Sequence, residues 1–228
     1  MMDEKNSEVI THAIESRRSV RGFLPKPIDR ALLSRILSTA SYAPSGSNIQ
    51  PWEVHVVEGE TRDALSNALV QAHYDKKSEA REYEYYPTEW RSPYIERRRE
   101  TGWGLYGTLG IKKGDQESSS KQHARNYEFF DAPTVLVFTI DNDLGKGSWL
   151  DYGMFLQSIM IAARGHGLHS CPQAALANFP ATVKQHLQID DNRIVVCGIS
   201  IGYEDPECLA NTYRPDRIGL EQFVVFHE

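Results

Sequence analysis

Thr134-Val135-Leu136-Val137-Phe138-Thr139-Ile140 places apolar side chains on both faces of a two-residue repeat. A half-solvated strand alternates apolar with polar. A strand apolar on both faces has to be covered on both, so this stretch predicts a central strand with helices on each side. Downstream, Ser148 predicts the cap of a long helix bearing Trp149, Tyr152, Phe155, Leu156, Ile159, Met160 and Ala163, ended by Gly165 and Gly167. That helix is apolar nearly all round, which predicts burial rather than a surface position. Pro180, at a favoured first-turn position, predicts a short helix. Residues 193–201 read as another buried strand and 222–226 as a final one.

Upstream, Trp52, Val54 and Val56 alternate with Glu53 and His55, the pattern of a strand. Residues 6–16 carry Val9, Ile10, Ala13 and Ile14 at helical spacing. Asp29 is the expected cap of a second helix with Leu32, Leu33, Ile36, Leu37 and Ala40 on its stripe, and Pro44 ends it. Thr61 is the expected cap of a third, with Leu65, Ala68, Leu69 and Ala72 on one face. About four strands and five or more helices predict an α+β or mixed α/β sandwich, read as a single domain over residues 1–228 because no repeat and no clean linker interrupts it.

Residues 74–125 differ. Aliphatics are scarce, and Tyr83-Glu84-Tyr85-Tyr86-Pro87 and Arg97-Arg98-Arg99-Glu100 dominate, with Trp90, Tyr94, Trp103 and Tyr106 between and after them. Residues 112–121 read as a polar loop. The segment is an excursion from the core, partly helical, either a lid or interface arm or a solvated helical pair whose aromatics pack on the body.

The totals exclude several classes. A net charge of −6 argues against general nucleic-acid binding, which needs a basic surface. No apolar run approaches the ~20 residues of a membrane span. The first residues lack the basic-then-apolar pattern of a signal peptide, and Cys171, Cys197 and Cys208 form no CxxC pair, so a reducing, cytoplasmic setting is expected. Eight histidines fall without metal-ligand spacing, and no metal is expected. GxGxxG, GxxxxGK[ST] and GxSxG are absent; the glycines at 102, 104 and 107 follow no strand and make no dinucleotide fingerprint.

Two polar clusters remain. Arg17-Arg18-Ser19-Val20-Arg21 concentrates guanidinium forks that match phosphate oxygens. Pro44-Ser45-Gly46-Ser47-Asn48-Ile49-Gln50-Pro51-Trp52 offers backbone and side-chain hydrogen bonds. Gly167-Leu168-His169-Ser170-Cys171-Pro172-Gln173-Ala174-Ala175 has N–H groups able to face a planar ring, and read alone is a short strand and turn. Arg214 and Arg217 can add positive charge.

Taken together and in order, these segments, with Ile199-Ser200-Ile201-Gly202-Tyr203, resemble the nitroreductase family of FMN-dependent oxidoreductases, and the length and aromatic content of 74–125 are similar to its nitrobenzoate reductase-like subgroup. The resemblance implies a central mixed, mainly antiparallel sheet flanked by helices, in an intertwined homodimer. It implies FMN held by Arg17 and Ser19, with Arg17 at the phosphate, Arg18 along the same edge, and Arg21 near the pyrimidine edge, where a cation stabilises reduced flavin. Pro44, Ser45, Gly46, Ser47 and Asn48 would reach the flavin of the other subunit. Pro172, Gln173, Ala174 and Ala175 would run past its N5/O4 edge, and Arg217, helped by Arg214, would join Arg17. Two departures stand out: Ala174-Ala175 where many relatives have an acidic residue and glycine, and Pro215 where many have a lysine.

The implied activity is two-electron transfer from NAD(P)H, by a ping-pong mechanism, to a small oxidised acceptor such as a nitroaromatic or quinone. No side chain is then catalytic, His169 and Cys171 included. Tyr86, Trp90, Tyr94 and Trp103 are the candidate acceptor-stacking residues, with Arg91 or Arg97, Arg98 and Arg99 as carboxylate partners. The alternatives are a reductive dehalogenase-like or flavin-fragmenting enzyme of the same fold, a non-enzymatic flavin-binding dimer, or a small-anion-binding domain.

Overall fold

The computed structural model describes residues 4–227. In chain order its elements are α1 (Glu4–Ser16), α2 (Arg30–Ala40), β1 (Glu53–Glu58), α3 (Gly59–Tyr74), α4 (Tyr94–Thr108), α5 (Gln116–Ala124), β2 (Thr134–Asp141), α6 (Lys146–Gly165), β3 (His169–Gln173), α7 (Pro180–Leu187) and β4 (Arg193–Gly202). The four strands form one sheet in the order β1-β2-β4-β3, with every neighbouring pair antiparallel. Among the described residues the one parallel feature is an isolated bridge between Ser19 and Ser170, at the β3 edge.

β2 is interior, and its residues divide between two cores as their two-residue period requires. Leu136, Phe138 and Ile140 pack with α2 and α6 on one face. Val135 and Val137 pack with α3 and α7 on the other. All five are fully buried; at roughly 1.5–3 kcal/mol per large apolar side chain, they contribute on the order of 10 kcal/mol to folding. α6 meets the sheet through Tyr152, Phe155, Ile159 and Ala163, all buried, and Trp52 stacks on Phe155 at 4.5 Å. Its outer face is only half covered within one chain, and Leu150 is exposed.

Asp29 caps α2 as expected, its Oδ1 accepting from the Leu32 N–H at 3.0 Å. Four expectations need correction. α3 begins at Gly59, with Glu58 and not Thr61 at its cap, because the strand β1 runs straight into the helix and Gly59 takes the left-handed turn (φ 55°). α6 begins at Lys146 after Gly145, leaving Ser148 buried in its first turn. The polar stretch read as a loop holds α5, capped by Asp115, whose Oδ1 accepts from Ser118 N–H at 3.0 Å. Residues 222–226 form no strand; the fourth strand is 169–173. The terminal run pairs with no strand of its own chain, and Phe223, Val225 and Phe226 stay exposed.

β3 has five residues and β4 ten, so β3 covers only Gly198 to Gly202. The start of the excursion covers part of what is left. A bulge between Phe138 and Thr139 leaves Val196 without a β2 partner, and the Tyr83 hydroxyl donates to its carbonyl at 2.5 Å. Glu82 accepts from the Val195 N–H at 2.8 Å. Glu79, with its side chain only 5 % exposed, binds the start of α7 through Ala181 N–H at 2.8 Å, Thr182 N–H at 3.2 Å and Thr182 Oγ1 at 2.5 Å. Lys77 and these hydrogen bonds hold its carboxyl below the usual carboxylate range against the opposing effect of burial.

One buried hydroxyl joins α6 to the opposite edge. Tyr152 Oη lies 2.9 Å from the carbonyls of Glu53 and Thr139, which face each other across β1 and β2, and accepts from Glu53 N–H at 3.3 Å. Tyr152→Phe leaves these groups unpartnered, and urea titration is expected to show a loss of about 1–2 kcal/mol with unchanged far-UV dichroism.

Candidate functional site

Residues 17–21 leave α1 and run extended beside β3, held by Val20 N–H to the Ser170 carbonyl at 3.1 Å and by Arg21 N–H to Asn211 Oδ1 at 2.7 Å. Val20 is buried with Phe23, Phe130, Ala132 and Cys171. Arg18 turns to Glu204, forming an ion pair beside His169. Arg17, Ser19 and Arg21 instead gather around Cys171. Arg17 is half-buried, and burial together with the positive charge of Arg217 pushes its pKa down. Arg214 is lowered by burial and by Arg18. Among the described residues, Arg17, Arg21, Arg214 and Arg217 form no ion pair with a carboxylate; Arg214 and Arg217 reach only backbone carbonyls, at 3.0–3.1 Å for Tyr213, Pro215 and Asp216.

Like charges converging without counter-ions are unfavourable unless an anion completes them. On a chain of net charge −6, with acidic residues in excess, their isolation marks a local anion site. Ser170, bridged to Ser19, has a buried Oγ with no protein partner among the described residues.

Of these arginines, Arg214 and Arg217 line one, and Arg21 another, of three adjoining cavities. One, of about 480 Å³, lies between α4 and residues 213–218 and includes Arg97, Arg214 and Arg217. The second, of about 830 Å³, also includes Arg97 and is walled by Arg21, Tyr86, Trp90, Trp103, Tyr106 and Phe130. The third, of about 480 Å³, shares Tyr86, Arg98, His123 and Asn126 with the second and runs along Pro172, Gln173, Ala174 and Ala175. Gly104 lets α4 close on this region: a Cβ there would stand 2.5 Å from the Tyr213 ring. That is the role of one of the three glycines.

The structure thus brings Arg21, Tyr86, Trp90 and Trp103 to one cavity and residues 172–175 to the next. Three of the residues expected at the site have their side chains engaged by the protein itself. Tyr94 lines none of these cavities and lies under Arg91 and Arg97, at 4.9 and 5.9 Å. Gln173 is buried with its amide spent, Nε2 donating to the Asn126 carbonyl at 2.6 Å and Oε1 accepting from Ser200 at 2.5 Å, so only its backbone faces outward. Arg18 has its charge committed to Glu204. Residues 44–48 stand apart: Gly46 N–H donates to Asp151 Oδ2 on α6 at 3.1 Å, and Ser47 and Asn48 take positive φ. Among the described residues no hydrogen bond joins that loop to 17–21.

Asn211, Asn126 and Glu204 carry no sequence signal, being single polar residues far from the motifs. Asn211 is 4 % exposed and also donates to the carbonyls of Gly22 (2.9 Å) and Asp205 (3.0 Å), so it fixes the backbone that presents Arg21. Cys171 is buried and pushed up to about 11 by desolvation, an inert thiol at neutral pH. Among the described residues no group of three or more His, Cys, Asp or Glu is placed to hold a metal ion, and no helix is long and apolar enough to cross a membrane.

A helix-flanked antiparallel sheet with paired arginines at its β3 edge and an aromatic-walled cavity beyond them is the build of an α+β oxidoreductase. The nitroreductase family matches residues 14–203, and the chain belongs to that family. It is 43 % identical to a 4-nitrobenzoate reductase of Pseudomonas putida over 93 % of both chains. The FMN and NADPH-dependent nitroreductase NfnB from Sphigopyxis sp. strain HMH superposes with a TM-score of 0.92 at 39 % identity, covering 96 % of this chain and 99 % of that one. The FMN-dependent NfnB from Mycobacterium smegmatis, solved with NADPH, gives a TM-score of 0.94 at 33 % identity, covering 98 % and 100 %.

His169 gives the site edge a pH dependence. Burial, then Arg164, lowers its pKa to about 4, the nearby Glu204 notwithstanding. The unfolded imidazole, with a pKa of about 6.5, takes a proton that the folded one refuses until about pH 4. Stability is therefore full above about pH 6.5 and falls as pH drops towards 4. Thermal melts across that window should show a shallower acid slope in His169→Gln than in the wild type.

Proposed function

We propose that this chain is an FMN-dependent NAD(P)H nitroreductase, passing two electrons from a nicotinamide donor to a nitroaromatic or quinone acceptor. The observation that carries the reading is the half-buried Arg17 beside Arg217, a pair of cations that form no ion pair with a carboxylate among the described residues. A flavin phosphate supplies the missing charge. Arg17, Arg217 and Ser19 would hold that phosphate end, with Arg18 and Arg214 as flanking positive charge. Arg21, its backbone fixed by Asn211, would stand at the pyrimidine edge. The backbone of residues 172–175 would face the N5/O4 edge; alanines at 174 and 175 leave that contact intact because it needs no side chain.

Bound FMN supplies the reversible two-electron chemistry. The protein's part is to bind, orient and exclude water. The 830 Å³ cavity, roofed by Tyr86, Trp90 and Trp103, suits planar rings of both donor and acceptor, which take turns in it; this is the ping-pong order. With Cys171 held as a buried thiol and His169 uncharged near neutral pH, neither serves as acid or base.

The functional unit is a homodimer with a flavin site across each interface. Two features support this. Residues 44–48 are held on α6, with no hydrogen bond to 17–21 of the same chain. Val9, Ile10, Ile14, Tyr42, Leu150 and residues 223–226 leave apolar surface exposed that a second copy would cover.

Purified protein is expected to be yellow and to oxidise NAD(P)H with a nitroaromatic present. Arg17→Gln should weaken FMN binding at least about tenfold, the least expected for loss of one charge-assisted pair; flavin absorbance after gel filtration reads this. Protein that stays colourless after incubation with FMN refutes the assignment. In sedimentation, the FMN-loaded protein should run as a dimer; a stable FMN-bound monomer would rule out the cross-subunit site.

A further inference from the structure

Arg98 is held in a way its neighbours are not. Its guanidinium carbon lies 4.8 Å from the Trp90 ring centroid and 5.8 Å from that of Tyr86, and those two rings touch at 5.2 Å. Contact with the ring faces holds a guanidinium without using its N–H groups. Among the described residues Arg98 makes no hydrogen bond to the protein and no ion pair, although Glu96 and Glu100 flank it on α4. The result is a cation held against two rings with its donors unspent.

Its place is equally particular. Arg97, Arg98 and Arg99 all line the 830 Å³ cavity, but only Arg98 also lines the cavity that runs along residues 172–175. A ligand spanning the two must pass it. Arg97 instead faces the cavity shared with Arg217. Arg91 is spent elsewhere, stacked on Tyr94 and donating to the Ser92 carbonyl at 3.4 Å.

We propose that Arg98 reads a carboxylate on the acceptor, so that the preferred acceptors are planar aromatic acids rather than neutral aromatics. This rests on the reductase reading above. The physical argument is complementarity in two parts. Aromatic walls take the ring, and a carboxylate presents two oxygens to the unspent guanidinium fork. On an acidic chain an anionic acceptor is otherwise repelled, so a local uncompensated cation decides between an acid and its neutral analogue.

The test uses FMN-loaded protein and a matched pair of acceptors, 4-nitrobenzoate and 4-nitrobenzamide, which differ in charge and little in shape. The wild type should favour the acid in kcat/KM by at least tenfold. Arg98→Gln should lower the acid-to-amide ratio by at least tenfold, chiefly through KM for the acid. Arg98→Lys should recover only part of it, because an ammonium keeps the charge and loses the fork. Arg91→Gln should leave the ratio at its wild-type value. Flavin absorbance in each variant shows that the site is still loaded. A wild type indifferent to the charge, or an unchanged ratio in Arg98→Gln, overturns the proposal. So does a variant in which the NADPH-to-NADH ratio moves in place of the acceptor ratio, since the anion read is then a dinucleotide phosphate. If the loaded wild type reduces neither compound, the reductase reading falls and this inference with it. If it reduces both without preference, only the inference falls.

Discussion

The strand β3 is half the length of the strand it pairs with, and much of the site follows from that mismatch. A buried strand cannot leave its N–H and carbonyl groups unpaired. Where β3 stops, Glu82 and Tyr83 take hydrogen bonds from and to β4, and Glu79 ties the same strap to α7. The chain that leaves this anchor is therefore committed to cross the end of β3. It carries Tyr86, Trp90 and the arginines of α4 with it. The aromatic wall stands over residues 172–175 because the sheet needed a substitute strand there.

At the other side of β3 the extended run 17–21 supplies the second wall. Hydrogen bonding to Ser170 and Asn211 fixes its backbone, and an extended backbone sends alternate side chains opposite ways. Val20 goes to the core and Arg18 to Glu204, while Arg17, Ser19 and Arg21 gather around Cys171. Three arginines that look equivalent in sequence thus have different electrostatic fates. Arg18 is neutralised, and Arg17 and Arg21 are kept without a counter-ion. Leaving them so is unfavourable, and it is this local excess of positive charge on which the proposed anion site rests.

Much of this was legible beforehand. The two-faced apolar run at 134–140 dictated a central strand, Asp29 its helix cap, and the clusters at 17–21, 44–52 and 167–175 resembled a known family. The misreadings have local causes. Short polar capping signals at Thr61 and Ser148 were outcompeted by the geometry of the strand and turn before each helix. The run at 222–226 has strand composition, yet a strand also needs a pairing partner, and pairing is not written in composition. The segment 169–173, read alone as a short strand and turn, is indeed a strand, although it carries His, Ser, Pro and Gln, because β4 offers an edge to it.

The sequence by itself determined which residue types were available and where the core would lie, since hydrophobic period and turn chemistry act over a few residues. It also determined the family, through motifs whose order is preserved along the chain. Only the tertiary structure decided which arginine is paired and which is not, that Gln173 turns inward, that Tyr94 leaves the cavity, and that Arg98 is the cation standing between two cavities. The first two of those outcomes depend on partners 27 to 186 residues distant in the chain, as in the Ser200–Gln173 and Arg18–Glu204 contacts. Charge, unlike hydrophobic period, takes its meaning from what stands beside it in space.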